Sequence, residues 1–476
     1  MNFSSNLFLF WFFPSFFILY FIIPGIKLKN IFIFLSSIVF YFLGEPLFGF
    51  AVLLSVLVNY FIGKLIHESS DEKSRKLALI LGLVFDLGML FVFKYLGFII
   101  SLINAISPIN FPKTNISLPI GISFYTFQII AYISDIYMNP GDDSCYQPNL
   151  VLLGEYIMMF PQLIAGPIVR YRSISGDLYS RSFSLNKIYS GLKRFIRGLG
   201  KKIIIANSLA VVADKAFSVP PNDAGAGFLL LGAISYTFQI FFDFSGYSDM
   251  ALGMGKMMGF DFPENFDYPY VANSIRGFWK KWHMTLSSWF RDYVYIPLGG
   301  SKAGKSRTIF NLAIVWFLTG LWHGASLTFV LWGMLYFLLL IFERYIAIKT
   351  GKTIDKLLPP ILSRLYTLFF VMLLWIIFRS DSIGAAFGYI GGMLSLTNRG
   401  IVSGQAFFYI KEYFLIYLIA LLSSTRFFAN LKRIQSLYLN KKTITALDNI
   451  FYIAVLFISI MHIAKGSYNP FIYFNF

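Results

Sequence analysis

Two histidines in apolar surroundings are the residues of this chain best suited to chemistry. His283 and His323 are two of only four histidines among 476 residues, and both lie in the stretch from Asp243 to Ser326, the most polar part of an otherwise apolar region. Imidazole has a pKa close to neutrality and therefore exchanges protons readily at physiological pH. Such a pair could take the proton from a hydroxyl nucleophile as its oxygen attacks an acyl carbonyl. Further polar groups close in sequence, Arg291 with Asp292 and the run from Asp243 to Asp249, strengthen the prediction of a proton-transfer site.

His323 stands at the join of two apolar segments, within the sequence GLWHGAS at 320–326. A polar side chain in such surroundings is costly unless it is partnered or functional. The small residues Gly324 and Ala325 would let a substrate approach the imidazole closely. The alternative is a structural histidine bonded to a backbone carbonyl, and the Trp-His-Gly triplet alone does not exclude it.

His283 belongs to the sequence NSIRGFWKKWHMTLSSWFRDYVYIP at 273–297. Aromatic and polar side chains recur there at helical spacing on opposite sides, which predicts one amphipathic helix at the membrane interface. The aromatic face comprises Phe278, Trp282, Leu286, Trp289 and Tyr293, and the polar face Arg276, Lys280, Ser287 and Arg291. His283 falls between the faces, where its side chain could reach a buried cavity. A simple membrane-surface anchor explains the pattern about equally well.

The other histidines and the cysteine carry no comparable signal. His67 lies in a charged loop and His462 near the end of the last apolar run, so a structural role is favoured for both. Cys145 is the only cysteine and cannot form an intrachain disulfide. Because the sequence has no CxxC pattern or Cys/His cluster with metal-ligand spacing, we expect no metal site.

The composition indicates the setting of these residues. Hydrophobic residues make up 57% of the chain, against 40 Lys and Arg and 23 Asp and Glu. This excludes an ordinary soluble domain and predicts an all-α polytopic protein embedded in a lipid bilayer, since each spanning helix uses about 20 apolar residues. The formal charge of +17 does not indicate nucleic-acid binding, because the basic residues form short clusters between apolar runs, where they set topology.

Thirteen apolar runs are candidates for membrane segments: 6–24, 30–43, 47–65, 77–104, 118–137, 151–168, 203–219, 228–246, 308–322, 325–342, 362–379, 406–424 and 446–464. The first reads as a retained helix rather than a removed signal peptide. Charge bias places the N terminus outside and the basic stretch 170–202 in the cytoplasm. The chain must then pass from the outside to the cytoplasm across the two runs 118–137 and 151–168, which requires an odd number of crossings. One of these runs is therefore expected to be re-entrant, beside a cavity. We expect one integral domain over 1–476.

Several long motifs in one order resemble the membrane-bound O-acyltransferase family. They are PIGISFYTFQ at 119–128, FPQLIAGPIVRY at 160–171, FFDFSGYSDMALGMGKMMGF at 241–260, PENFDYPY at 263–270, FWKKWHMTLSSWFRDYVYIPLGG at 278–300 and LTGLWHGASLTFVLWG at 318–333. The resemblance covers about 115–340, with a further similarity in NPFIYFNF at 469–476. Within the family the chain looks closest to the bacterial branch that O-acetylates alginate, peptidoglycan and other cell-surface polysaccharides. The D-alanyl transferase of teichoic acid synthesis is a more distant relative.

The resemblance implies a ring of about 11–12 transmembrane helices with re-entrant and interfacial helices around a central funnel and channel. The family-like core at 115–340 would be flanked by helices at 1–110 and 341–476. By the same resemblance His323 is the catalytic histidine and His283 a second active-site residue. It further implies a bacterial cytoplasmic membrane location, a cytoplasmic donor such as acetyl-CoA or another acyl thioester with no bound cofactor, and an extracytoplasmic esterase-like partner.

These features together predict an O-acetyltransferase that passes acetyl from a cytoplasmic thioester outward to a cell-surface polysaccharide of the cell wall or matrix, with His323 as general base. His283 would position the acceptor or the thioester. Position and chemistry suggest further roles at the site. Arg291, beside Asp292, and neighbouring lysines such as Lys280 could attract the anionic acyl donor. Trp279, Trp282 and Trp322 could form the wall of the channel.

Two alternatives stay open. Within the family, the chain could move D-alanyl or another acyl group to teichoic acid or a protein, using a carrier-protein donor with a cytoplasmic docking face. Outside enzymes, it could be a transporter or polysaccharide flippase, which the many apolar runs and the basic cytoplasmic surface also fit. A flippase would need no essential histidine at 323.

Overall fold

The structure is a computed structural model that describes residues 2–108, 111–112, 114, 116–302, 304–395, 404–466 and 472. These residues form helices joined by turns, with no strand among them, which confirms the all-α class. In this part of the chain six helices are long and apolar enough to cross a membrane, or seven if the bent pair Gly404–Glu412 and Phe414–Ser423 is one span. The chain is therefore a polytopic membrane protein. The span count of 11–12 and the ring arrangement stay predictions.

The chain divides into two compact units. One comprises Met1–Phe195 and Ser248–Glu264, and the other comprises Ile196–Tyr247 and Asn265–Phe476. Both candidate histidines belong to the second unit. The expectation of a single integral domain with a core at 115–340 stays a prediction. The similarity at 469–476 lies outside the described residues, except for Ile472.

The first unit contains α-helices at Phe13–Ile22, Ile26–Phe42, Gly49–Glu68, Glu72–Leu90, Leu96–Ile106, Ile122–Met138, Leu150–Met158, Phe160–Leu163 and Tyr171–Tyr179, the start of Leu185–Gly200 and the end of Ala226–Met258. The apolar run at 151–168 is broken at Met159, between the short helices Leu150–Met158 and Phe160–Leu163. Both are buried within this unit from Leu153 onward. An interrupted, protein-enclosed segment at this place agrees with the sequence expectation, whereas its sidedness stays a prediction.

The second unit contains the remaining α-helices: the end of Leu185–Gly200, Asn207–Ser218, the start of Ala226–Met258, Ile275–Trp279, Met284–Phe290, Lys305–His323, Leu327–Thr350, Ile354–Leu357, Pro360–Arg379, Ile383–Leu394, Gly404–Glu412, Phe414–Ser423, Phe427–Tyr438 and Lys441–Ala464. Short π-helical turns occur at Lys201–Ala206 and Arg291–Tyr295. Such turns often lie near functional sites. The second of them directly follows the segment that carries His283.

A helical hairpin forms the centre of the second unit's site. The helices Lys305–His323 and Leu327–Thr350 pack closely because glycines face the partner backbone. A Cβ on Gly333 would lie 2.3 Å from the Trp316 carbonyl oxygen, and one on Gly320 would lie 2.4 Å from the Phe329 carbonyl oxygen. Small residues permit this approach of two helices in an apolar environment. The hairpin thereby fixes His323 opposite the first turns of the second helix.

Glu343 ties this hairpin to the short helix Ile275–Trp279. Its two carboxylate oxygens accept hydrogen bonds from the backbone N–H groups of Ile275 at 2.6 Å and Arg276 at 3.0 Å. The first N–H groups of a helix have no acceptor within the helix, so a carboxylate at this end satisfies them. Its negative charge is also stabilised by the positive end of the helix dipole. The hydroxyl of Ser274 accepts a further bond from Gly277.

The prediction of one continuous amphipathic helix over 273–297 is wrong. The segment forms the helices Ile275–Trp279 and Met284–Phe290 and the π-helical turn Arg291–Tyr295, with a turn before His283. His283 takes a left-handed conformation with φ of 44°, which a helix interior does not allow. The two-sided pattern itself is present, because the aromatic side chains Phe278, Trp282 and Trp289 are buried while the polar side is more exposed.

The basic stretch 170–202 also differs from the expected cytoplasmic loop. Most of it is helical, in Tyr171–Tyr179 and Leu185–Gly200. Lys202 is buried and forms an ion pair with Asp243 at 2.6 Å, and Arg181 is buried near Glu155. These two cations neutralise buried carboxylates and do not contribute to a solvated basic surface.

Candidate active site

His323 ends the helix Lys305–His323 and is buried, with 2% of its surface exposed. Three aromatic rings surround its imidazole: Trp322 at 4.8 Å, Trp332 at 4.9 Å and Phe378 at 5.2 Å between ring centroids. All three contacts are edge-to-face. The rings fix the orientation of the imidazole and exclude bulk water from it. A base held in this way acts on a bound hydroxyl without competition from solvent.

The sequence argument for open space beside Gly324 is wrong. A Cβ built on this residue would lie 2.1 Å from the ring of Phe329, so that ring fills the space. Phe329 in turn packs against Phe378 at 4.9 Å. The glycine is needed for packing of the hairpin, and the approach of a substrate to His323 must use another side of the imidazole.

His283 is fully buried at the start of the helix Met284–Phe290. Its Nδ1 lies 3.0 Å from Oδ1 of Asn265, another buried residue. The same oxygen accepts hydrogen bonds from the Thr285 hydroxyl at 2.9 Å and the Thr285 backbone N–H at 3.4 Å. The backbone also joins the two segments, since Met284 N–H donates to the Asn265 carbonyl at 3.0 Å. Non-glycine residues in left-handed conformations cluster at functional sites.

These contacts define the tautomer of His283. The Asn265 amide atom beside Nδ1 is an oxygen, because the backbone N–H of Thr285 can only donate to it. Nδ1 of His283 therefore carries the hydrogen, and the lone pair of the neutral ring resides on Nε2. His283 lies in a turn outside the long apolar helices, and its burial lowers its pKa from 6.5 to about 3. The imidazole is therefore neutral near pH 7, and its Nε2 can accept a hydrogen bond.

Trp322 connects the two histidines. Its ring centroid lies 5.7 Å from that of His283 and 4.8 Å from that of His323. His283 also packs edge-to-face on Phe244, at 4.8 Å. The structure thus brings together three of the sequence-predicted site residues, with His283 about 40 positions before Trp322 and His323 in the chain. A single aromatic ring stands between the imidazoles.

The other two predicted tryptophans extend this aromatic cluster. Trp279 contacts Trp332 at 5.7 Å, and Trp282 contacts Trp375 at 4.9 Å. Trp332 and Trp375 stack on one another at 5.9 Å. Through these rings, both predicted residues reach the aromatic shell that surrounds His323. The role of channel wall stays a prediction.

Lys280, Arg291 and Asp292 are not part of the buried cluster. Lys280 is exposed, and Arg291 exposes 63% of its side chain. Arg291 donates from Nε to the carboxylate of Asp292 at 2.6 Å, so its charge is largely balanced by its neighbour. The two carboxylates of the polar run 243–249 are also paired: Asp243 with Lys202, and Asp249 with Arg194 at 3.0 Å within the first unit. Among the described residues no group of three or more His, Cys, Asp and Glu could hold a metal ion.

Sequence reasoning did not single out Trp332, Tyr336, Phe378 or Asn265. Trp332 and Tyr336 are one helical turn apart and fully buried in the helix Leu327–Thr350. Residues four apart share a helix face, but this helix is apolar on every side, so the spacing alone does not mark these two as facing protein. Asn265 lies within the PENFDYPY motif, but nothing in the sequence pairs it with a histidine 18 residues later.

The comparisons with known proteins agree with this arrangement. The profile of the MBOAT, membrane-bound O-acyltransferase family, matches residues 136–350, which include both histidines. A probable alginate O-acetylase AlgI of Pseudomonas putida is 36% identical over the full length of both chains. One of Pseudomonas syringae is 40% identical, covering 85% of this chain and 78% of its own. A peptidoglycan O-acetyltransferase of Helicobacter pylori is 34% identical, covering 83% and 80%.

A buried histidine pair in an all-helical membrane protein, within a segment that matches this profile, defines an acyltransferase of the membrane. The chain belongs to the membrane-bound O-acyltransferase family.

Proposed function

We propose that the protein transfers an acetyl group from a cytoplasmic thioester, acetyl-CoA or another acyl thioester, toward the hydroxyls of a cell-surface polysaccharide of a bacterium. The names of the relatives support this substrate class, since both kinds of relative O-acetylate an extracytoplasmic polymer. The observation that carries the proposal is the burial of His323 in an aromatic shell next to the neutral, oriented His283.

In the proposed reaction His323 acts as general base. It accepts the proton of the acceptor hydroxyl while that oxygen bonds to the carbonyl carbon of the thioester. The tetrahedral intermediate then collapses as the carbon–sulfur bond breaks, and the leaving thiolate takes the proton from the imidazolium. Atoms and charge balance without a cofactor. The acceptor hydroxyl belongs to the polymer or to an extracytoplasmic esterase-like partner that completes the transfer.

His283 has a different role in this scheme. A general base works best with a pKa near the working pH, and burial holds the pKa of His283 at about 3. It is therefore a weak base, but its Nε2 lone pair is a fixed hydrogen-bond acceptor. We assign it to holding the acceptor hydroxyl, or the amide N–H groups of a pantetheine arm, in position for His323. The bond to Asn265 holds its ring in this orientation.

The test is the acetate that alkali releases from isolated polysaccharide and from peptidoglycan. Cells that express the wild-type protein are compared with cells that express His323→Ala or His67→Ala at equal membrane abundance. His67 lies in the first unit and stacks on Tyr146, so it is a matched control for loss of a histidine. We expect acetate in one polymer to fall to background with His323→Ala and to be unchanged with His67→Ala.

Two other results would change the assignment. Release of D-alanine in place of acetate would support the alternative acyl group. Acetate at the wild-type level with His323→Ala would remove the histidine from the reaction and leave a structural role for it.

A further inference from the structure

Three buried hydrogen-bond donors without an acceptor among the described residues lie in the aromatic cluster that contacts His323 through Trp332. They are the indole N–H groups of Trp279 and Trp332 and the hydroxyl of Tyr336; none of these atoms makes a hydrogen bond to another described residue. Trp332 and Tyr336 are fully buried, and Trp279 is 8% exposed. A buried donor that forms no bond costs about 1–3 kcal/mol, so three of them in one place require an explanation.

The three rings are mutual neighbours. Centroid distances are 5.0 Å from Trp279 to Tyr336, 5.0 Å from Trp332 to Tyr336 and 5.7 Å from Trp279 to Trp332, and each pair is edge-to-face. Trp332 also touches the imidazole of His323 at 4.9 Å. Trp279 is placed by the short helix that Glu343 caps, whereas Trp332 and Tyr336 share the helix that carries Glu343. The donors are thus held on connected, rigid elements.

The chemistry of the donors restricts what can bind there. An indole N–H can only donate, so its partner must be an acceptor such as a carbonyl oxygen or an anionic oxygen. In the proposed reaction, the carbonyl oxygen of the thioester is the acceptor that must lie near His323, and it gains negative charge when the hydroxyl attacks.

We propose that Trp279, Trp332 and Tyr336 form a donor pocket that binds the carbonyl oxygen of the acyl thioester and stabilises its negative charge in the tetrahedral intermediate. This inference rests on the proposed acyl transfer and adds the residues that act on the electrophile. Preorganised donors in a water-excluded site stabilise developing charge strongly, and removal of one such donor lowers kcat by about 10²–10³-fold. The pocket complements His323, which acts on the nucleophile.

Tyr336→Phe is the principal test because it removes one donor and keeps the ring. The purified proteins are assayed for acetyl transfer from acetyl-CoA, with separate determination of kcat and KM. We expect kcat to fall by about 10²-fold and KM for acetyl-CoA to rise only by the smaller factor that the neutral carbonyl gains from this donor. Trp332→Phe should act in the same direction. Trp316→Phe is the matched control: Trp316 packs on Trp279 and Tyr336, yet its indole nitrogen is not among the buried donors without a partner.

A second readout separates binding of the carbonyl from general packing. Inhibition by a ketone analogue of acetyl-CoA is compared with inhibition by the thioether S-ethyl-CoA, which has no carbonyl. The wild-type protein should prefer the ketone, and Tyr336→Phe should lose that preference while keeping its affinity for the thioether. A change in ring packing alone would weaken both analogues together.

The outcomes distinguish this pocket from the proposed function. Wild-type kcat and an unchanged ketone preference in Tyr336→Phe, with an inactive His323→Ala, would overturn the donor pocket and leave acyl transfer intact. If purified wild-type protein does not use acetyl-CoA, the same variants are compared by the acetate on the polysaccharide in cells. Absence of acetate with the wild-type protein overturns both proposals, whereas full acetate with Tyr336→Phe overturns only the pocket.

Discussion

Replacement of Asn265 by alanine should lower turnover, because Asn265 orients the ring of His283 through a hydrogen bond. Oδ1 of Asn265 receives three hydrogen bonds, from His283 Nδ1 at 3.0 Å, the Thr285 hydroxyl at 2.9 Å and the Thr285 backbone N–H at 3.4 Å. Without it, the hydrogen of His283 can move from Nδ1 to Nε2. The ring would then present a donor where the proposed site needs an acceptor.

The magnitude follows from these contacts. Each buried donor left without its acceptor costs about 1–3 kcal/mol, and the longest bond contributes least. With relaxation of the Thr285 hydroxyl toward another partner, the free energy of unfolding should fall by about 2–4 kcal/mol. If the wrong tautomer becomes favoured by about 1.4 kcal/mol, only about a tenth of the molecules retain the active form, since this free energy corresponds to a tenfold ratio. Turnover should fall by at least that factor.

Thr285→Val is the matched control, because it removes the hydroxyl donor and leaves the bond between His283 and Asn265. It should lower stability by about 1 kcal/mol with a much smaller loss of turnover. Acetyl transfer and thermal unfolding are measured on both purified variants, and ¹⁵N shifts of the histidine ring report the tautomer. Wild-type turnover in Asn265→Ala, or equal losses in both variants, would refute the role of this bond.

Three further outcomes are expected. Lys202→Met leaves Asp243 buried and charged without its ion-pair partner, which should lower the free energy of unfolding by about 3–5 kcal/mol. Thermal unfolding in detergent measures this loss, and the double variant Lys202→Met/Asp243→Leu should recover most of it. Gly333→Ala should separate the hairpin helices, since the new Cβ would lie 2.3 Å from the Trp316 carbonyl oxygen. Both the yield of folded protein and its activity should fall. Gly351 lies outside the helix contact, so Gly351→Asn is the control and should be tolerated. Burial lowers the pKa of His283 to about 3, against 6.5 in the unfolded chain. Between these two pH values only the unfolded chain binds the proton, so the free energy of unfolding should fall as pH falls. Thermal midpoints measured at pH 4–7 should show this decrease, and His283→Gln should remove it.

The sequence predicted the membrane class correctly because this class depends on composition. It singled out the two histidines as ionisable groups in apolar runs, and their role in the reaction stays a prediction. It missed the break before His283, since neither proline nor glycine marks it and the strain at φ 44° arises from contacts with Asn265. It also missed Trp332 and Tyr336. In a helix that is apolar on every side, periodicity does not separate residues that face protein from those that face lipid.

The pairing of charges also could not be predicted from the sequence. In the sequence Lys202 belongs to a basic stretch, but in the structure it forms an ion pair with Asp243, which lies 41 positions later in the chain. Arg291 was expected to attract an anionic donor, yet its nearest charge is the adjacent Asp292. Counts of basic residues overestimate the free positive charge wherever the fold places carboxylates beside them.

In the proposed reaction, three tasks fall to side chains with different electrostatics. His283 is held neutral by burial and oriented by Asn265, so it can hold a hydrogen-bond donor without competing for its proton. His323 is enclosed by aromatic rings and, in the proposed reaction, takes the proton of the acceptor hydroxyl. If the proposed donor pocket is correct, loss of the Tyr336 hydroxyl should lower kcat by the same factor at every pH, because this hydroxyl donates a hydrogen bond and transfers no proton. Replacement of His323 should instead leave a small residual rate that lacks the pH dependence of the wild type, and this contrast distinguishes the base from the groups that stabilise the oxyanion.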